Sequence, residues 1–110
     1  MSEEQAKTFN IKVTLPDEWT LRHWQTYGTA QQEYIRKCRE KSLIADSGSS
    51  KYFGAKALVD EGFVHFDGDE AAVTQCKAWL SSDAPPLKWV GWLNRAVGDV
   101  IEEAFFVPLA

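Results

Sequence analysis

Residues 86–105, PLKWVGWLNRAVGDVIEEAF, predict the helix around which the rest of the chain must be arranged. Pro86 suits the first turn of a helix, where its missing N–H has no partner to lose. Steps of three and four residues define one stripe predicted to face the core, made of Leu87, Val90, Asn94, Val97, Ile101, Ala104 and Phe105. Other apolar residues lie off this stripe, namely Trp89, Trp92, Leu93, Ala96 and Val100. Because the helix is apolar around more than half of its circumference, it must be buried on more than one side.

Two interpretations of this helix stay open at the level of sequence. It is either a central helix wrapped by the other elements, or a helix that leaves one aromatic side available to another chain. The second interpretation follows from the small size of the chain and from the preference of Trp and Phe for protein interfaces. It predicts a partner-binding set made of Trp89, Trp92, Leu93, Phe105 and Phe106.

The segments that precede this helix predict a mainly helical α+β fold. Residues 8–15 alternate apolar and polar, which predicts a strand, and residues 63–66 predict a second strand that pairs with it in an antiparallel β element. Three further helices are expected, which makes about four in total, and they are placed at residues 20–44, 50–62 and 69–80. Residues 46–50 are expected to form a loop, and Gly62 is expected to cap the second helix in a left-handed conformation. Residues 1–7 are expected to form a disordered arm before a single globular domain at 8–110.

Composition and charge limit the classes of function. The chain has 110 residues, of which 45% are hydrophobic and 25% are charged. This length and composition are typical of a single globular domain. Its net charge of −4 argues against direct nucleic-acid binding, and the charge is uneven, with +2 on residues 1–56 and −6 on residues 57–110. No apolar run approaches the roughly 18–20 residues that a membrane-spanning helix needs. Since the acidic N-terminus is unlike a signal peptide, we expect a cytoplasmic protein that does not contact a membrane.

The sequence carries no catalytic, metal-binding or cofactor-binding signature. Cys38 and Cys76 stand outside any Cys-x-x-Cys pattern and are expected to be reduced thiols, and His23 and His65 lack placed metal-binding partners. The acidic run Asp-Gly-Asp-Glu at 67–70 lacks the spacing of a calcium loop, so a turn followed by a helix cap is expected. The chain is therefore predicted to be neither an enzyme nor a holder of a cofactor or metal ion.

Two stretches resemble a known family. LPDEWTLRHWQTY at residues 15–27 and WVGWLNRAVGDVIEEAFFVP at residues 89–108 are similar to the ends of small siphophage tail-assembly chaperones. The resemblance implies a small, helical, non-catalytic morphogenesis factor of a phage. It also implies a protein partner, a tape-measure or tail-tube protein, whose apolar segments the chaperone binds until the tail subunits polymerise.

Three functional hypotheses follow. The leading one is that tail-assembly factor, which would bury partner side chains on the aromatic face of the last helix. The alternative is a small acidic phage inhibitor of a host defence or nucleic-acid enzyme. Its carboxylates would occupy the site of that enzyme that normally binds phosphates. The candidate carboxylates are those of Asp67, Asp69, Glu70, Asp99, Glu102 and Glu103. The third is a structural subunit whose apolar helix forms the seam of a homo-oligomer.

Overall fold

Two short strands and four helical runs make up residues 10–106, the part of the chain that this computed structural model describes. In chain order they are β1 (Ile11–Thr14), α1 (Leu21–Glu40), α2 (Ser47–Asp60), β2 (His65–Gly68), α3 (Glu70–Ser81) and α4 (residues 87–106). The predicted mainly helical α+β class is thereby confirmed. The predicted arm at residues 1–7, the first residues of the predicted strand and the tail at 107–110 lie outside the described residues.

The two strands form the predicted antiparallel pair. Ile11 lies opposite Gly68 and Val13 lies opposite Phe66. Ile11 and Phe66 are buried, so this small sheet closes one side of the core.

The second strand begins two residues later than predicted because the end of α2 holds the chain. Gly62 has φ of +80°, which confirms its left-handed cap. The N–H groups of Phe63 and Val64 then donate to the Leu58 carbonyl oxygen, at N–O distances of 3.0 and 3.2 Å. These residues therefore belong to the helix terminus, and pairing starts only at His65.

The connection between α1 and α2 also differs from its prediction. α1 ends at Glu40 instead of extending to residue 44, since Ser42 adopts a left-handed φ of 56°. The Asp46 carboxylate accepts a hydrogen bond from the Ser49 N–H at 2.7 Å, and this cap starts α2 at Ser47. The prediction of a loop at residues 46–50 is therefore wrong. The small polar residues of this stretch form the capped start of a helix instead.

α4 is a central helix with a π-helical segment in its middle. It runs as Leu87–Leu93, the π segment Asn94–Gly98, and Asp99–Phe106 without a break. The insertion of a π turn changes which residues share a face, so the stripe predicted at a constant step is wrong at its ends: Leu87 and Phe105 are exposed.

The side of α4 that faces the core carries its largest side chains. Trp89 and Trp92 are only 0% and 2% exposed, and Leu93 is also buried. The Trp89 indole packs against Tyr52 of α2, with ring centroids 6.0 Å apart, and against Trp79 of α3 at 5.6 Å. The wrapped-helix interpretation is correct, and the expectation that Trp89, Trp92 and Leu93 remain available to a partner is wrong.

Candidate protein-binding surface

The predicted partner-binding set divides between the core and the surface. Trp89, Trp92 and Leu93 are core residues because the other elements cover the middle of α4. Phe105 and Phe106, at the end of α4, are 54% and 67% exposed. They are the two members of that set that a partner can reach.

Around these two residues lies a surface cluster that we call the aromatic patch, made of Trp19, Leu21, Trp24, Phe105 and Phe106. The Trp24 indole stacks on the Phe105 ring and meets the Phe106 ring edge to face, with centroids 5.8 Å apart. Leu21 is exposed beside them. The patch thus joins the first turn of α1 to the last turn of α4.

A shallow groove opens at the aromatic patch. Its volume is about 240 Å³, and Ile101 and Ala104 line it together with Trp19, Leu21, Trp24 and Phe105. Small-molecule pockets have about 300–1,000 Å³. The groove is therefore smaller than a small-molecule pocket, and most of the side chains that line it are apolar.

Local structure fixes the entry to the patch. Thr20 is the N-cap of α1, and its backbone N–H donates to Nδ1 of His23 at 3.0 Å. The His23 ring lies between Trp19 and Phe63, with centroid distances of 5.5 and 4.7 Å. Trp19 is consequently held in place before the helix begins.

Three exposed carboxylates stand close to residues of the aromatic patch in the chain, and we call them the acidic rim. Asp17 and Glu18 immediately precede Trp19, Glu103 precedes the end of α4, and all three are exposed. Arg22, a neighbouring cation, lies over the Phe63 ring at 5.4 Å from its centroid.

A polar cluster anchors the end of α4 that carries Phe105 and Phe106. The Tyr27 hydroxyl donates to Glu102, and Lys51 of α2 forms ion pairs with Asp99 and, at 3.6 Å, with Glu102. Burial and the Glu102 carboxylate raise the pKa of Tyr27, and the Asp99 carboxylate raises the pKa of Lys51. The cluster therefore holds the last two turns of α4 against α1 and α2 at neutral pH.

The π segment borders a polar cavity of about 410 Å³. The Asn94 side chain donates to the Gly48 carbonyl oxygen at 3.0 Å, which ties the π segment to the start of α2. Lys51 and Asp99, which also line this cavity, are engaged with each other. These contacts hold α4 against α2, and the Lys51 ammonium group and the Asp99 carboxylate are paired with each other.

The surroundings of the two cysteines and the grouping of possible metal ligands can be described directly. Both thiols, Cys38 and Cys76, are buried and reduced, and burial raises the pKa of the Cys76 thiol, which disfavours a nucleophilic thiolate. Among residues 10–106, no group of three or more His, Cys, Asp or Glu side chains could hold a metal ion.

The carboxylates of the inhibitor hypothesis are divided between structural tasks. Asp69 caps α3 by accepting from the Ala72 N–H at 3.1 Å, which confirms the predicted cap. The turn predicted before it is wrong, because Asp67 and Gly68 pair with β1 as part of β2. Asp99 and Glu102 face Lys51. Three of the six carboxylates named for that hypothesis are thus engaged within the fold.

Sequence reasoning missed Trp19, Leu21 and Trp24 as surface residues. Leu21 and Trp24 fit the inward face of α1 by their spacing, yet Leu21 is exposed and Trp24 half-buried at the end of the molecule. A signal for their exposure is present in the sequence. Apolar residues are concentrated at the very start of α1, where few other elements are available to cover them.

Two further findings bear on function. In the part of the chain between residues 10 and 106, no helix combines the length and the apolar character required to cross a bilayer. Comparison with family models, with curated proteins and with solved structures finds no match to this chain.

Proposed function

We propose that the protein is a non-enzymatic binding module that captures an apolar segment of a partner protein on the aromatic patch. The observation that carries the proposal is the stack of Trp24 on Phe105, with Phe106 exposed beside it and the apolar groove adjoining. Aromatic side chains of this kind, held rigid before binding, are favoured anchors of protein interfaces.

The resemblance to siphophage tail-assembly chaperones supports a more specific role. The two stretches that carry the resemblance, residues 15–27 and 89–108, contain all five residues of the aromatic patch. In that role the bound segment belongs to a tape-measure or tail-tube protein, and the chain shields it until tail subunits assemble. Apolar burial of about 25 cal/mol per Å² would supply the affinity.

The acidic rim specifies the chemistry of the bound segment. Asp17, Glu18 and Glu103 would attract Lys and Arg residues that flank the apolar anchors. We therefore expect the patch to prefer an apolar segment with basic flanks over the same segment with acidic flanks.

The test uses two synthetic amphipathic peptides with the same Leu and Phe anchors, one flanked by Lys and the other by Glu. Fluorescence anisotropy should show tighter binding of the Lys-flanked peptide, and Phe106→Ser or Leu21→Ser should weaken it by about tenfold or more. Leu87→Ser is the matched control, because Leu87 is an exposed apolar residue of α4 at the other end of that helix. Equal binding by all variants, or no binding to the wild type, would overturn the proposal.

A second experiment addresses the tail-assembly role itself. Co-expression with a siphophage tape-measure or tail-tube protein should yield a complex for the wild type and for Leu87→Ser, but not for Phe106→Ser. If the protein binds the peptide but forms no complex with the tail protein, the binding-module proposal stands and the phage role is contradicted.

A further inference from the structure

A second exposed apolar site lies at the opposite end of α1. Leu43 and Ile44, which we call the aliphatic knob, are 60% and 93% exposed. Their backbone is held in place, since the Leu43 N–H donates to the Cys38 carbonyl oxygen at 2.8 Å and Asp46 caps the helix that follows. The knob is thus a fixed projection made of two adjacent aliphatic side chains.

The surroundings of the aliphatic knob are basic on balance, because three cations stand against the carboxylate of Asp46, which caps α2. Lys37, Arg39 and Lys41 are exposed, and within residues 10–106 none of the three forms an ion pair. The neighbouring Arg36 is neutralised by Glu33 and Glu40. The knob therefore has the chemistry that the acidic rim of the aromatic patch favours, which is an apolar anchor with basic flanks.

The geometry prevents the two surfaces from meeting within one molecule. The patch includes the first turn of α1, and the knob follows its last turn. The 20 residues of this helix separate them by about 30 Å. One copy can satisfy this complementarity only with another copy.

We infer that the aliphatic knob of one copy docks on the aromatic patch of a second copy, head to tail. Such a contact is heterologous: each copy in a row still offers a knob at one end and a patch at the other. The inference rests on the proposed function, because the same patch serves both contacts. It names the partner that occupies the patch when no other segment is bound, so that a partner segment and a second copy compete for it.

Sedimentation velocity tests the inference. The wild type should shift from monomer toward larger species between about 10 µM and about 1 mM, and NaCl at about 0.5 M should oppose this shift by screening the charges. Ile44→Asp and Phe106→Asp should each remain monomeric, because each lacks one of the two surfaces. An equimolar mixture of the two variants should form a 1:1 dimer and nothing larger, since one intact knob and one intact patch remain.

Leu87→Asp is the matched control and should associate like the wild type, and circular dichroism should show all variants to be folded. A wild type that stays monomeric at about 1 mM, or a mixture that does not associate, would overturn the inference. Dimers of Ile44→Asp alone would do the same, since they would indicate a patch-to-patch contact. Peptide binding by Ile44→Asp separates the two proposals: if it persists while the mixture fails, only the head-to-tail contact is wrong.

Discussion

The Trp24 indole lies nearly parallel to the Phe105 ring, with centroids 4.2 Å apart and planes inclined by 12°. This stack connects the beginning of α1 with the end of α4, although 81 positions of sequence separate the two residues. Because the stack already restrains both rings, the proposed binding of a segment would cost little side-chain entropy. The stack therefore packs α1 against α4 and at the same time forms part of a restrained aromatic surface.

A double-mutant cycle measures the packing part of this contact. Trp24→Ala and Phe105→Ala should each destabilise the fold, and together they should cost less than the sum by about 0.5–1.5 kcal/mol. Urea unfolding followed by circular dichroism gives the three free energies. Strict additivity would contradict the stack.

Two glycines of the helix pair provide a matched stability test. A Cβ on Gly54 would lie 2.5 and 2.6 Å from Tyr27 ring carbons and 3.1 Å from its carbonyl oxygen, and Tyr27 is buried, so Gly54→Ala should destabilise the protein by about 1–3 kcal/mol. Gly28 in α1 has no neighbour within 4 Å of such an atom. Gly28→Ala should therefore stabilise the protein by about 0.5–1 kcal/mol through helix propensity. Thermal and urea unfolding should move in opposite directions for the two variants, and a shift of the same sign would refute this reading of the α1–α2 contact.

The π segment should depend on Lys51 in a way that a second cycle detects. A Cβ on Gly98 would overlap the Lys51 stem, with the Cδ atom at 2.8 Å, so Gly98→Ala should force Lys51 away from Asp99 and cost about 1–3 kcal/mol. In a Lys51→Ala background most of this cost should disappear, because the obstructing side chain is gone. An unchanged cost would mean that the Tyr27 hydroxyl, 3.3 Å from such a Cβ, or the backbone excludes a side chain at this position, and not Lys51.

Local patterns were sufficient to predict the elements and two of their caps. Alternation predicted the strand around Ile11 and Val13, and the left-handed Gly62 and the capping Asp69 ended and began helices as expected. Composition failed at residues 46–50, where small polar residues are equally typical of a loop and of a helix start that an aspartate caps.

The candidate site was predictable only in part, because it depends on how distant elements meet. The excess of apolar residues in α4 predicts an accessible set that includes Phe105 and Phe106, and both are exposed, although periodicity also puts Phe105 in the core-facing stripe. The same excess puts the buried Trp89 in that set, because periodicity weights all apolar residues equally and assumes a constant step. The contribution of Trp24 follows from a tertiary contact with Phe105, which no local pattern encodes.

The division of α4 into core and surface predicts very different costs for two aromatic truncations. Trp89→Ala should destabilise the protein by about 3–5 kcal/mol, since it empties a fully enclosed site between α2 and α3. Phe106→Ala should change the free energy of unfolding by about 0.5 kcal/mol or less, because its ring is mostly exposed. Urea unfolding of the two variants measures both, and comparable costs would contradict the assignment of Phe106 to the binding surface.

The Tyr52 hydroxyl should lower the stability of the folded protein at alkaline pH, and one substitution should remove this effect. Tyr52 is buried, and within the described residues its hydroxyl has no hydrogen-bond partner. Burial, followed by the charge of Asp60, raises the pKa of Tyr52 to about 12, whereas a tyrosine in the unfolded chain titrates near 10. Because folding favours the neutral form, this contribution to stability is complete below about pH 10 and is lost as the pH rises to about 12.

Tyr52→Phe removes both the titration and the unpaired hydroxyl. At pH 7 the variant should be as stable as the wild type or more stable, by up to about 1–3 kcal/mol, because no buried polar group is left unsatisfied. Between about pH 10 and pH 12 the difference in unfolding free energy should then grow further in favour of the variant. Urea titrations of both proteins across this range measure the difference, in which the loss due to Tyr27 cancels. A difference that does not change with pH would show that the Tyr52 hydroxyl reaches solvent in the folded protein.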